Sequence, residues 1–300
     1  MHIPVLADKV IEFLNPQDGK IYVDATIGCG GHTKKILSFA PKCIVIGIDC
    51  DEKAIEYCRQ HLSQFIEQKR LIIFKENFVN IKEILKELNL EKIDGIVFDF
   101  GISGLQLKSS RGFSFNDVNL DMRMDTTLPL TAYDVVNKFS ENELTRIFLE
   151  YGEERYAKLI ARKIVEYRKT KKITSAKELA EIISSVLRQK YKKIFLKNIK
   201  QLIKYKFHPA TKIFQAIRIY VNNELENIYK GVSNAIDILN PNGKIITICY
   251  HSLEDRIVKN IFKARTDIKI LTKKPLTPQA KEILSNKSAR SAKLRAAEKI

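Results

Sequence analysis

Four short apolar runs open the chain: IYVDAT at 21–26, CIVIGID at 43–49, RLIIF at 70–74 and DGIVFDFG at 94–101. Each is short, rich in β-branched residues and bounded by polar or glycine positions, as buried strands are. Between them the apolar spacing turns helical, beginning near His32, Glu52 and Asn80. Strands alternating with helices predict a parallel sheet with right-handed crossovers. From about Leu107 the rhythm becomes wholly helical. Ser140 with Glu143, and Ser175 with Glu178, have the spacing of capping boxes. Leu144, Ile147, Phe148 and Tyr151 follow the first, and Leu179, Ile182, Ile183, Val186 and Leu187 the second, at helical period. After His208 and Pro209 a long helical pattern leads to the turn NPNGK at 240–244 and the apolar run KIITICY. The α/β alternation has then resumed. The pattern predicts an α/β sheet domain built from residues 1–107 and 213–300, interrupted by an all-α insert over 108–212.

The first strand feeds a glycine turn, GCGGH at 28–32, and the second ends on Asp49. A strand, a glycine turn and a carboxylate at the next strand end are how a doubly wound sheet holds a nucleoside. A dinucleotide fingerprint needs a third glycine close to the helix, and Thr33 stands in that place, which counts against NAD. A turn that lets backbone approach a ligand without cradling a pyrophosphate suits S-adenosylmethionine, with Asp49 accepting from its ribose hydroxyls. In open α/β sheets ligands bind beyond the carboxyl ends of the strands. His32, Asp49, Phe78, Asp99 and the following GISGLQ are therefore expected around one crevice. Phe78 could lie against adenine or fill core, and Asp99 could accept from the cofactor or cap a helix.

Composition narrows the classes. No apolar run approaches the ~20 residues of a bilayer span, and the first ten residues lack a signal-peptide layout, so a cytoplasmic protein without membrane contact is expected. The five cysteines form no CxxC pair and no zinc-like Cys/His spacing, so no metal site is expected. The formal charge of +17 is uneven: Arg155 to Gln215 holds eighteen Lys or Arg against three Glu. Such a block is the electrostatic footprint of a phosphate backbone. A solvated helix face in a lysine-rich chain would look the same.

Longer motifs then run in order along the chain: HIPVL at 2–6, DATIGCGGH at 24–32, DFGIS at 99–103, RGFSF at 111–115, LDMRMD at 120–125, YGEER at 151–155, HPATKIFQAIRIYVN at 208–222, HSLEDR at 251–256 and ARSAKLR at 289–295. From first to last the chain strongly resembles the RsmH (MraW) family of small-subunit rRNA methyltransferases. The resemblance implies a class I, Rossmann-like sheet domain with an inserted helical, substrate-recognising domain. It implies an S-adenosylmethionine-dependent enzyme that methylates N4 of one cytidine in the decoding region of 16S rRNA, with the small ribosomal subunit as partner. Carried over by motif, the cofactor contacts fall on Gly30, Gly31, His32, Asp49, Phe78, Asp99 and Gln106. The chain departs from the usual pattern at Cys29, at Gly104, Leu105 and Lys108 around Gln106, and at Cys249 and Tyr250, where the family more often has Ser-Phe.

Methyl transfer to an amine needs alignment more than covalent help. The cytosine amine is a poor nucleophile, and acceptors for its N–H groups would make it more reactive. Candidates are the backbone carbonyls after Asp99, the Ser103 hydroxyl, and His251 with Ser252, the last pair being the favoured catalytic residues. Ser252 as a helix N-cap is the competing reading. The Asp-Pro-Pro-Tyr signature of many amino-methylating enzymes is absent, since DFGI stands at 99–102. For RNA, Arg111, Phe113, Phe115 and Arg123 offer phosphate anchors and aromatic faces for an unstacked base, although Phe113 and Phe115 could equally be a buried edge. Lys190, Lys192, Lys193 and Lys197 are the favoured phosphate contacts. An assembly factor that binds rRNA without catalysis is the alternative function, and a homodimer is left open.

Overall fold

The computed structural model describes residues 4–195 and 208–300, with the side chains of 189–195 outside that description. The chain divides into two compact units, Met1–Leu105 with Leu225–Ile300, and Gln106–Glu224.

The first unit is a seven-stranded sheet: β1 (Ile21–Asp24), β2 (Ile44–Asp49), β3 (Leu71–Lys75), β4 (Ile93–Asp99), β5 (Leu239–Cys249), β6 (Ile268–Ile270) and β7 (Lys293–Lys299), in the order β3-β2-β1-β4-β5-β7-β6. β1 to β5 are parallel, and β7 runs antiparallel to both β5 and β6. Successive strands move outward from β1 to β3, then the chain returns to place β4 on the other side of β1. That reversal is where a doubly wound sheet opens a ligand crevice. The parallel strands are apolar on both faces because helices cover both. One face packs Val23, Ile46, Ile96, Phe98 and Ile245 against Ile81, Leu85, Val232, Ile236 and Phe262. The other packs Val45, Val97, Ile246 and Ile248 against Val10, Leu14, Ile36, Leu37 and Ile55.

The NPNG stretch lies within β5. Leu239 pairs with Ile93 and Lys244 with Gly95, so the register shifts where the sequence pattern predicts a turn before the strand. Three elements escape the hydrophobic pattern: the helix Ala7–Leu14, β6 and β7.

The second unit is helical: Ala132–Lys138, Glu141–Glu150, Ala157–Arg168, Ala176–Phe195 and Thr211–Asn222. Ser140 and Glu143 form the expected capping box. Ser175 accepts from the Glu178 N–H, but the Glu178 carboxylate returns to the Thr174 N–H. The helix Thr211–Asn222 groups here, so the second boundary falls a helix later than 212/213. Its buried Ile213, Phe214 and Ile217 explain why. Polar bonds add to the attachment: Lys212 Nζ donates to the Glu153 carbonyl at 2.8 Å, Gln215 Nε2 to Tyr151 at 3.1 Å, and Asn222 Nδ2 to Met122 at 2.8 Å. The insert thus interrupts the crossover between β4 and β5, whose helix is Glu224–Asp237.

Candidate active site

The glycine turn is fixed by backbone that residues with a side chain rarely adopt. Gly28 and Gly30 have φ of +51° and +72°, and a Cβ on Gly30 would stand 2.4 Å from Leu62 Cδ1. Asp49 closes the turn from the side: its Oδ2 accepts from the Gly28 N–H and its Oδ1 from the Asp51 N–H, each at 2.9 Å. Burial raises the Asp49 carboxyl to about 6, against the lowering effect of those two bonds. Each oxygen keeps a further acceptor site. At the end of β1, buried Asp24 accepts from the Thr33 N–H at 3.2 Å and the Thr33 hydroxyl at 2.7 Å. It anchors the start of the helix Gly31–Phe39, a role the sequence pattern does not reveal. Burial pushes its carboxyl up, with His32 opposing.

Asp99 ends β4, and its N–H donates to Thr26 Oγ1 at 2.7 Å, tying that strand end to the turn after β1. His32 Nε2 lies 3.5 Å from Asp99 Oδ2. The His32 ring is 6% exposed, and neither of its nitrogens makes a hydrogen bond. A buried imidazole without hydrogen bonds is costly unless a ligand supplies a partner. His32, Asp49, Asp99 and the glycine turn therefore form a polar cluster at the carboxyl ends of β1, β2 and β4. Phe78 follows β3 and meets Phe98 edge-on at a centroid distance of 5.5 Å and Phe100 at 6.0 Å. A Cβ on Gly231 would stand 2.4 Å from its ring. Phe78 is only partly buried, so it both packs on the core and keeps accessible area. A cavity of about 760 Å³ also borders Gly30 and Gly31, lined further by Pro4, Lys34, Tyr57 and Leu62; Asp49, Phe78 and Asp99 do not line it.

The HSLEDR stretch is chiefly architectural. The N-cap of the helix Ser252–Ala264 is His251, not Ser252: its Nδ1 accepts from the Glu254 N–H, and Glu254 Oε2 accepts from the His251 N–H at 3.2 Å and the Tyr250 N–H at 2.6 Å. His251 Nε2 lies 2.9 Å from Glu254 Oε1. Asp255 receives Arg295 of β7 through two bonds, at 2.7 and 3.1 Å, with both side chains mostly buried.

In the second unit Gln106 is buried, and its carbonyl accepts from the Ser109 N–H. Arg111 donates to the Ser109 hydroxyl and to the carbonyls of Arg123 and Met124. Arg123 is paired twice with Asp121 and donates to the Thr126 and Leu128 carbonyls. Phe113 is 8% exposed, and Phe115 stacks on His208 at 4.2 Å. The two half-exposed arginines thus clasp their own loop, because a long connection with little regular structure must satisfy its carbonyls somehow, while Phe115 ties it to His208 and Phe214. Lys190, Lys192, Lys193 and Lys197 lie outside the described side chains. Among described residues, Arg155, Lys158, Lys163, Lys169, Lys172 and Arg188 are exposed.

The strand order, the antiparallel β7 between β5 and β6, and the strand-end carboxylates around a glycine turn define the class I, Rossmann-like methyltransferase fold. The MraW methylase family matches residues 1–300, and the chain belongs to that family. It is 46% identical to ribosomal RNA small subunit methyltransferase H of Sulfurihydrogenibium sp. (strain YO3AOP1), covering 100% of this chain and 99% of that protein. The Persephonella marina protein of that name is 47% identical over the same shares. Among solved structures, a putative rRNA-methylase from Clostridium thermocellum is a loose match, 13% identical with a TM-score of 0.47 and full coverage of both chains. No described helix is long and apolar enough to cross a membrane.

Proposed function

We propose that this protein transfers a methyl group from S-adenosylmethionine to N4 of one cytidine in the decoding region of 16S rRNA, within the small ribosomal subunit. The shared name of its full-length relatives supports the rRNA substrate. The observation that carries the cofactor is the cluster of buried His32 with half-buried Asp49 and Asp99 around a turn whose glycines leave backbone open to a ligand.

S-adenosylmethionine supplies the electrophilic methyl group. The chain's own work is binding and alignment. Asp49 accepts from ribose hydroxyls, the Gly30 and Gly31 backbone approaches the ligand, His32 gains a hydrogen-bond partner, Phe78 lies against adenine, and Asp99 accepts from the adenosine or the ammonium of the methionine part. Gln106, the remaining contact that the family resemblance implies, belongs to the second unit. No metal is needed. For the cytosine amine, the carbonyls after Asp99 and the Ser252 hydroxyl accept N–H hydrogens. His251 does so less readily, because its Nδ1 already accepts from the Glu254 N–H and the proton of the neutral ring then sits on Nε2. The helical insert recognises substrate, its exposed Lys and Arg meeting rRNA phosphates. Arg111, Phe113 and Arg123 contribute by holding their loop in shape.

The direct test incubates the purified protein with labelled S-adenosylmethionine and small subunits lacking the modification, followed by nucleoside mass spectrometry. N4-methylcytidine at one decoding-region position is expected. Cofactor binding without product would favour an rRNA-binding assembly role.

A further inference from the structure

β1 and β4 lie side by side as far as the crevice, where they part. Their pairing ends with the Ala25 N–H donating to the Val97 carbonyl at 2.9 Å. Beyond that bond the chain after β1 turns from β4 to β2: the Ile27 N–H donates to the Ile48 carbonyl and the Gly28 N–H to Asp49 Oδ2, each at 2.9 Å. A continued parallel ladder would give the Asp99 N–H the Ala25 carbonyl as its acceptor. Instead that N–H donates to the Thr26 hydroxyl oxygen, at 2.7 Å. A side chain has taken the place of strand backbone. On the far side, the Phe100 N–H donates to the Ile248 carbonyl of β5 at 3.0 Å. Three consecutive residues, Thr26, Ile27 and Gly28, therefore bridge the ends of β4 and β2, which carry Asp99 and Asp49. The β4 half of that bridge rests on the hydroxyl of a half-buried threonine.

We propose that Thr26 is a positioning residue for cofactor binding: its hydroxyl holds the end of β4 against the turn after β1, and so sets the spacing of the Asp99 and Asp49 carboxylates that accept from S-adenosylmethionine. This rests on the reading that both carboxylates bind the cofactor. Strand ends beyond their last ladder bond are free to splay. A ligand that must itself bring them together binds more weakly, because part of its binding energy goes into ordering the site.

Thr26→Val keeps the branched shape and removes the acceptor, whereas Thr26→Ser keeps the hydroxyl and removes a methyl. Both are compared with the wild type by calorimetry with S-adenosylmethionine, well below their thermal midpoints so that only folded protein is read. Thr26→Val is expected to bind about tenfold more weakly, on the order of one hydrogen bond, and Thr26→Ser within about twofold of the wild type. With small subunits as substrate, KM for the cofactor rises about tenfold in Thr26→Val while kcat stays within about twofold, the signature of lost ground-state binding. Asp99→Asn weakens binding as well, and adding Thr26→Val to it costs less than Thr26→Val costs alone, because the two act as a unit. Unchanged affinity in Thr26→Val beside weakened affinity in Asp99→Asn would overturn the role of Thr26. So would a Thr26→Ser variant as weak as Thr26→Val, since the hydroxyl would then not be what matters. Unchanged affinity in Asp99→Asn would overturn the reading of Asp99, and the proposal with it.

Discussion

At the scale of single residues, Asp49 combines two demands that pull in opposite directions. Its oxygens hold the glycine turn through the Gly28 and Asp51 N–H groups, yet burial lifts its carboxyl to about 6. An ionised carboxylate is the stronger acceptor of ribose hydroxyls, so affinity for S-adenosylmethionine is expected to hold above pH 6 and to fall as pH drops through that value. By pH 5 it should be weaker by roughly tenfold, one pH unit below the carboxyl's midpoint. For the free protein the sign reverses: a carboxyl raised above its unfolded value stabilises the fold most at low pH, and that contribution is lost as pH rises from about 4 to 6. Calorimetric titrations from pH 5 to 8 check the first statement. Asp49→Ala should weaken binding throughout and flatten the dependence, whereas a wild-type profile would remove Asp49 from the site. The carboxylates at 49 and 99 were legible in the sequence because a polar residue ending an apolar strand is conspicuous. The hydrogen-bond deficit of His32 and the anchoring by Asp24 were not, since they depend on which strand ends become neighbours.

At the scale of elements, the parallel strands were readable because burial on both faces demands continuous apolar runs. β7 was not. Its stretch KLRAAEK is alanine-rich, a composition poor in strands, and carries a buried arginine. That arginine is tolerable only because Asp255 meets it with two bonds. Removing one partner strands a buried charge, so Arg295→Ala is expected to cost about 3–5 kcal/mol in denaturant unfolding. The double replacement with Asp255→Ala should cost less than the two single losses added. The helix Ala7–Leu14 was missed because Leu6 precedes it in a left-handed conformation and offers no capping side chain. For the helix Ser252–Ala264 the cap was placed one residue late. His251→Ala should therefore lower stability by about 1–2 kcal/mol through loss of the cap, leaving kcat of the folded enzyme nearly intact. Ser252→Ala should instead lower kcat with little change in thermal midpoint. The reverse pattern would return the catalytic role to His251.

For the whole molecule, the uneven charge and the interrupted topology belong to one argument. A crossover from β4 to β5 needs only a connection and one helix, and Glu224–Asp237 already provides that helix. Residues 106–224 are thus unnecessary for completing the sheet, and the section from Arg155 to Gln215 within them carries an excess of fifteen positive charges. Hydrophobic periodicity predicts a helical insert without fixing its far edge, because the helix Thr211–Asn222 has an apolar face that would suit either unit until its bonds to Met122, Tyr151 and Glu153 are seen. Charge excess also cannot tell a phosphate-binding surface from a solvated one, and salt dependence can. If the insert neutralises phosphates, affinity for small-subunit rRNA falls linearly on a log–log plot against salt, and replacing Lys190, Lys192, Lys193 and Lys197 together with alanine reduces the slope by roughly 2–4. Affinity for S-adenosylmethionine should not move in that variant, since its ligands are assigned to the sheet unit. An unaltered slope would mean that these lysines are solvated, and would shift phosphate binding to the exposed Arg155, Lys158, Lys163 and Lys169.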